Sequence, residues 1–166
     1  MKKILFVCHG NICRSPMAEF MMKKAVKDAG LESEFEIASA ATSREEIGND
    51  IYPPAKETLR RHGVPFTSRA ARQMTRADYD SYDHIFLMDR GNARLLGRLM
   101  PDVFSGDSDG KVRLLMSLTG EERDVADPWY TGDFEKTYED ISEALSELLH
   151  LCRKEAGMEG SRQDTT

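Results

Sequence analysis

The sequence predicts an α/β domain in which a small four-stranded parallel sheet is covered on both faces by helices, as a single three-layer unit. Three observations lead there. Short runs of β-branched and aromatic residues alternate along the chain with longer segments whose apolar residues recur at helical spacing. Strands and helices that alternate in this way form parallel sheets with helical crossovers on both sides. The 166 residues contain no internal repeat and no Pro/Ser-rich linker, which suits one domain with a sizeable core.

"KKILFVC" (2–8) reads as a buried first strand. "SPMAEFMMKKAVKDAG" (15–30) follows as a helix, with Ser15 at the N-cap, Pro16 at the first helical position and Gly30 at the stop. Its Ala18, Met21, Met22, Ala25 and Val26 recur at helical spacing and belong in the core. "FEIASA" (35–40) is a second strand and "PPAKETLRRHG" (53–63) a helix opened by proline and closed by Gly63. "TRADYDSY" (75–82) is a short helix with a capping box, Thr75 to Asp78. "HIFLM" (84–88) is a third strand, "RGNARLLGRLM" (90–100) a helix, and "KVRLLMS" (111–117) the fourth strand. The final helix, 133–156, carries Ile141, Leu145, Leu148, Leu149 and Cys152 on one face. The domain is expected to span 1–156, with the polar tail 157–166 disordered.

Charge and composition narrow the function classes. The net charge is −6, with both signs mixed along the chain, so there is no basic stripe for a nucleic-acid backbone. An acidic protein that binds an anion must hold a strong local positive field. The apolar run "ILFVC" is far too short for a bilayer, which needs about 20 such residues. The stretch after "MKK" lacks a long secretory apolar region, and the expectation is a cytoplasmic monomer with no membrane partner. Cys8, Cys13 and Cys152 form neither a disulfide framework nor a paired C-x-x-C metal spacing, and in a reducing compartment they are expected to be thiols.

The chemistry concentrates in "VCHGNICRS" (7–15), where the first strand ends and the first helix begins. A Cys-x5-Arg spacing alone is weak, and an isolated cysteine is more often a small buried hydrophobe. Here the context decides. A strand-to-helix loop aims several backbone N–H groups at one small volume and adds the positive end of the helix dipole. Gly10 and Asn11 tolerate the positive φ that a tight loop demands. Arg14 can present a planar fork to two oxygens of a phosphate. The loop residues His9, Gly10, Asn11, Ile12, Cys13, Arg14 and Ser15 would surround a tetrahedral dianion, with Cys8 at the floor as nucleophile. The Ser15 hydroxyl is placed to hydrogen-bond the sulfur and ease its departure.

Releasing a phenol, whose pKa is about 10, needs a proton donor. The loop has none. "VADPWYTGD" (125–133) supplies Asp127 before a proline, followed by Trp129 and Tyr130. It reads as a mobile flap whose carboxyl reaches the scissile oxygen while the aromatics flank a flat substrate ring.

The sequence resembles the low-molecular-weight protein tyrosine phosphatases. The resemblance covers residues 3 to about 152 and rests on "VCHGNICRSPMAE", "SAATSREEIGN", "RHGVPF", "ARQMT", "FLMDRGN" and "DPWY", in that order. It implies a sheet in strand order 2-1-3-4 and a hydrolysis of phosphotyrosine and small aryl phosphates through a cysteinyl-phosphate, with neither metal nor cofactor. In that scheme Cys8 is the nucleophile, Arg14 binds phosphate, and Asp127 is first acid, then base. Asn11, Ser15 and Ser39 would shape the loop, and Cys13 would match a second loop cysteine able to pair reversibly with Cys8. The family often has a histidine before "ARQ"; here Arg69 or Ala70 stands near that point. His9 replaces a common leucine, Glu45 stands where the "SREEIG" loop often has an aromatic, and Trp129 replaces one of a tyrosine pair. Glu45, Ile47, Trp129 and Tyr130 would wall the pocket, and Glu45 would repel acidic peptides.

Two rivals share the scaffold. A protein arginine phosphatase typically has threonine where Ile12 stands. An arsenate reductase needs two further cysteines in mid-chain, and residues 14–151 contain none.

Overall fold

The computed structural model describes residues 1–107 and 110–155. The expected disordered tail at 157–166, and the end of the expected domain at 156, lie outside the described residues. The elements run β1 (Lys2–Cys8), α1 (Arg14–Asp28), β2 (Phe35–Ala41), α2 (Pro53–Arg61), α3 (Arg76–Ser81), β3 (His84–Leu87), α4 (Arg90–Leu99), α5 (Pro101–Ser105), β4 (Val112–Leu114), α6 (Pro128–Thr131) and α7 (Phe134–Glu155). The four strands form one sheet in the order β2-β1-β3-β4, with every pairing parallel.

β1 lies at the centre, paired from Lys2↔Phe35 to Cys8↔Ala41 on one side and from Ile4↔His84 to Val7↔Leu87 on the other. Its side chains alternate between two cores, as the strand period of two requires. Ile4, Phe6 and Cys8 join the cluster under α1, α2 and α7; Leu5 and Val7 join the smaller one containing Leu96 of α4. Phe6 and Phe86 stack at 6.0 Å between ring centroids, and both are fully buried. Burial of a side chain of that size contributes about 2–3 kcal/mol. The chain leaves β1 for β2 on one side and reaches β3 on the other, so the carboxyl end of β1 lies where strand order reverses. Open α/β sheets bind their ligands in that crevice.

Two local expectations change. Helix α1 begins at Arg14, with Cys13 at the N-cap and no side-chain capping bond. Ser15 lies inside the helix because its hydroxyl is drawn instead to the Cys8 sulfur, 3.0 Å away. The fourth strand is only Val112–Leu114, followed by a 3-10 turn at Leu115–Thr119. The hydroxyls of Ser117 and Thr119 donate to the carbonyls of Leu114 and Met116 at 2.6 and 2.7 Å, offering the backbone a tight turn in place of the sheet ladder. A short further helix, α5, begins at Pro101, as proline suits a first helical position.

The capping box of α3 forms as expected. Thr75 accepts from the Asp78 N–H, and the Asp78 side chain accepts from the Thr75 N–H at 2.7 Å. Arg72 also donates to both Asp78 carboxylate oxygens, at 2.9 and 3.1 Å. Burial works to raise the Asp78 pKa; the bonds from Arg72 and Thr75 more than reverse this and hold it below the ordinary 3.8. A lowered carboxylate pKa contributes stability that is present above the unfolded value and lost as pH falls through the folded one. Melting of the wild-type protein should therefore fall below about pH 4, and Asp78→Asn should flatten that fall while lowering Tm at neutral pH. Thermal melts across pH test this; parallel curves for both proteins would contradict it.

Candidate active site

The loop from Cys8 to Arg14 wraps around the Cys8 sulfur. The N–H groups of Asn11 and Ser15 donate to Sγ at 3.3 and 3.4 Å. Asn11 alone among the described non-glycine residues has positive φ, 61°. Gly10 does not share that conformation; its role is space, since a Cβ there would stand 3.2 Å from Cγ of Glu46.

Asn11 is held in its unusual conformation from every side. Its Nδ2 donates to Ser15 Oγ at 2.7 Å and to Ser39 Oγ at 3.0 Å, and Ser39 donates to Glu19 at 2.6 Å. Its Oδ1 accepts from the Arg72 N–H at 3.2 Å, and its carbonyl accepts from Arg69 Nη2 at 2.6 Å. Arg69 also donates to the Asn49 carbonyl at 3.2 Å, so it joins two loops from outside. Between Arg69 and Ala70, it is Arg69 that reaches the loop. Asn11 and Ser15 are fully buried and stand behind the loop with Ser39; none of the three lines the cleft, and the N–H groups of Asn11 and Ser15 reach it only through the Cys8 sulfur.

Arg14 is almost completely buried rather than solvated at a helix end. Nη1 donates to Asp89 at 2.6 Å and to the Val125 carbonyl at 2.8 Å; Nη2 reaches Asp127 at 3.4 Å. Burial opposes the charge, but Cys8, Asp127 and Asp89 together raise the guanidinium pKa above its ordinary value. Asp89 is itself fixed by capping α4, accepting from the Asn92 N–H at 2.7 Å. Asp127 caps α6, a single helical turn where a flap was expected, and its Oδ1 accepts from the Trp129 N–H at 3.0 Å.

These groups open into one cleft of about 170 Å³, lined by Cys8, His9, Gly10, Ile12, Cys13, Arg14, Glu45, Glu46, Asp127, Trp129 and Tyr130. Ile47 does not line it and is half exposed elsewhere on its loop. His9 and Glu45 meet across the rim at 2.7 Å. Tyr52 was not anticipated: its N–H donates to the Ile12 carbonyl at 2.9 Å and its ring lies 4.7 Å from that of Trp129. Cys13 is a buried free thiol whose pKa is pushed well up, first by burial and then by the Cys8 sulfur and Asp127.

Asp89, Glu19 and Glu46 are the other participants that sequence reasoning passed over. Only Asp89 left a local signal, an aspartate three residues before Asn92 at a helix start. Among the described residues, a metal-ligand grouping occurs away from this cleft, at the amino end of β3. One donor atom each from His84, Cys152 and Glu155 lies within 4.8 Å of the others. Lys2 sits 2.9 Å from Glu155 and opposes a cation there.

A thiol at the carboxyl end of a central parallel strand, beneath converging N–H groups and beside a buried arginine, defines a cysteine-dependent phosphoric monoester hydrolase. The chain belongs to the low molecular weight phosphotyrosine protein phosphatase family, whose sequence model matches residues 3–158. The human low molecular weight phosphotyrosine protein phosphatase is 40% identical over 141 residues, 83% of this chain and 87% of its own. The Bacillus subtilis (strain 168) low molecular weight protein-tyrosine-phosphatase YfkJ is 37% identical over 155 residues, 93% of this chain and 98% of its own. The YfkJ crystal structure superposes with a TM-score of 0.86 at 35% identity, covering 93% of this chain and 96% of that one. A drosophila arginine phosphatase also shares the fold, with a TM-score of 0.78 at 27% identity over 92% and 98% of the two chains.

Proposed function

We propose that the protein hydrolyses phosphotyrosine and small aryl phosphates, with Cys8 as nucleophile, Arg14 as phosphate ligand and Asp127 as acid and base. The observation that carries this is the convergence of the Asn11 and Ser15 N–H groups on Cys8 Sγ, in a cleft that Arg14 and Asp127 share. In the first step the sulfur attacks phosphorus in line, an S–P bond forms and the aryl P–O bond breaks. Asp127 gives its proton to the departing phenol oxygen. In the second step water attacks phosphorus, Asp127 takes its proton, and the S–P bond breaks to return the thiolate and inorganic phosphate. The loop amides and Arg14 hold the three equatorial oxygens throughout. The Ser15 hydroxyl can donate to the sulfur as it leaves.

Every role is supplied by this chain, so the scheme calls on neither metal nor cofactor. It carries with it a monomer acting in the cytoplasm; among the described residues no helix is long and apolar enough to cross a membrane.

Asp127→Ala is expected to slow phenyl phosphate by about 100-fold or more and an activated nitrophenyl ester much less, because only the poor leaving group needs the proton. Steady-state rates on the two esters measure it, and an equal loss on both would remove Asp127 from the acid role. Phosphotyrosyl, phosphoseryl and phosphoarginyl peptides assayed together fix the substrate. Preference for phosphoarginine would replace this reading with that of the fold's arginine phosphatase branch.

A further inference from the structure

The two sides of the cleft differ in chemistry. On one side stand Trp129 and Tyr130, 51% and 84% exposed. On the other, Glu45 and Glu46 border the outer surface of the loop that would hold the phosphate. Glu45 meets His9 through one oxygen, yet its side chain remains 68% exposed. Glu46 packs its stem against Gly10, and Asn49 Nδ2 donates to its carboxylate at 2.6 Å. Both carboxylates are therefore anchored in place at the lip. Asp127 adds a third acidic group to the lining, and Arg44 of the same loop does not line the cleft.

The lining residues able to carry positive charge are His9 and Arg14. Arg14 lies at the floor, and its Asp89 and Asp127 partners confine its field to the depth where a phosphate would sit. The charge requirements are thus separated by depth. The floor accepts a dianion, while the lip presents fixed negative charge to whatever flanks it. A peptide whose neighbours to the phosphotyrosine are acidic meets repulsion there, and one with lysine or arginine meets attraction. Rim charges of this kind act mainly on encounter and are weakened by salt.

We propose that Glu45 and Glu46 make this site selective for phosphotyrosyl segments flanked by basic residues. The inference rests on the phosphatase reading above and adds the substrate class to it.

The test uses two phosphotyrosyl peptides identical except for Lys or Glu at the positions on either side of the phosphotyrosine, with phenyl phosphate alongside. The ratio of kcat/KM for the Lys peptide over the Glu peptide is expected to be about tenfold at low ionic strength, carried mostly by KM. In about 1 M salt, where the Debye length is ~3 Å, the ratio should fall to within about twofold. An E45Q/E46Q protein should show the same collapse at low salt. A wild-type ratio of one or below overturns the proposal, as does a ratio that salt and the double substitution leave intact. The salt arm needs no variant, so a poorly folded E45Q/E46Q protein does not shelter the idea. Turnover of phenyl phosphate with no Lys preference sinks the inference alone; turnover of none of the three substrates sinks the phosphatase reading with it.

Discussion

A Cys8→Ser protein is expected to bind inorganic phosphate and to turn over no aryl phosphate. The substitution leaves the donors that surround the sulfur in place: the Asn11 and Ser15 N–H groups, the Ser15 hydroxyl and, at the same cleft, Arg14. A hydroxyl at that position stays protonated at neutral pH, and the groups that meet the Cys8 sulfur, the Asn11 and Ser15 N–H groups and the Ser15 hydroxyl, include no base. The S–P intermediate cannot form, and the fall in kcat should be at least ~10⁴-fold, as when other covalent enzymes lose their nucleophile. Calorimetry with inorganic phosphate and a phenyl phosphate assay read the two halves separately. A residual rate above about a hundredth of wild type would mean that the nucleophile lies elsewhere.

The second large effect is expected at Arg14, where catalysis and stability are lost together. Its guanidinium satisfies Asp89, Asp127 and the Val125 carbonyl from an almost fully buried position. Arg14→Ala removes the phosphate ligand and leaves the buried Val125 carbonyl and two part-buried carboxylates without this donor, at a cost of about 1–3 kcal/mol. Activity should be abolished and Tm should fall. Arg14→Lys separates the two losses. An ammonium restores one charge and part of the hydrogen bonding, so Tm should largely recover. It cannot offer a planar fork to two phosphate oxygens, and kcat should stay down by about 10²–10³-fold. Recovery of kcat in step with Tm would show that Arg14 serves the fold and not the reaction.

What the sequence made legible was what is local. The strand-to-helix loop lies within eight residues, and each of its residue types has a reason to be there. The Thr75–Asp78 box is a four-residue pattern, and it forms in the fold. Asp127 stood out because four consecutive residues combine a carboxyl, a proline that fixes the backbone and two aromatic rings. The unread partners lie far along the chain: Glu19 is 20 positions from Ser39, and Asp89 is 75 from Arg14. No periodicity announces such pairs, because each is decided by which strand ends the sheet order places side by side. The misplaced helix start has the same origin. Ser15 has the composition of a cap and also stands within reach of the Cys8 sulfur, and its hydroxyl takes the second partner, which the end of β1 delivers. The truncated fourth strand fails for a different reason: hydroxyls three residues on from their carbonyls outbid a ladder that an apolar run alone would favour.

Trp129 is the sole tryptophan in the chain. It stands half exposed at the lip of the cleft, 4.7 Å between ring centroids from Tyr52, two residues beyond Asp127. Its intrinsic emission is therefore an optical readout of this one segment, free of background from any other indole. Stopped-flow fluorescence with the unlabelled wild-type protein can report whether α6 moves as ligand arrives and leaves, and on what timescale relative to turnover.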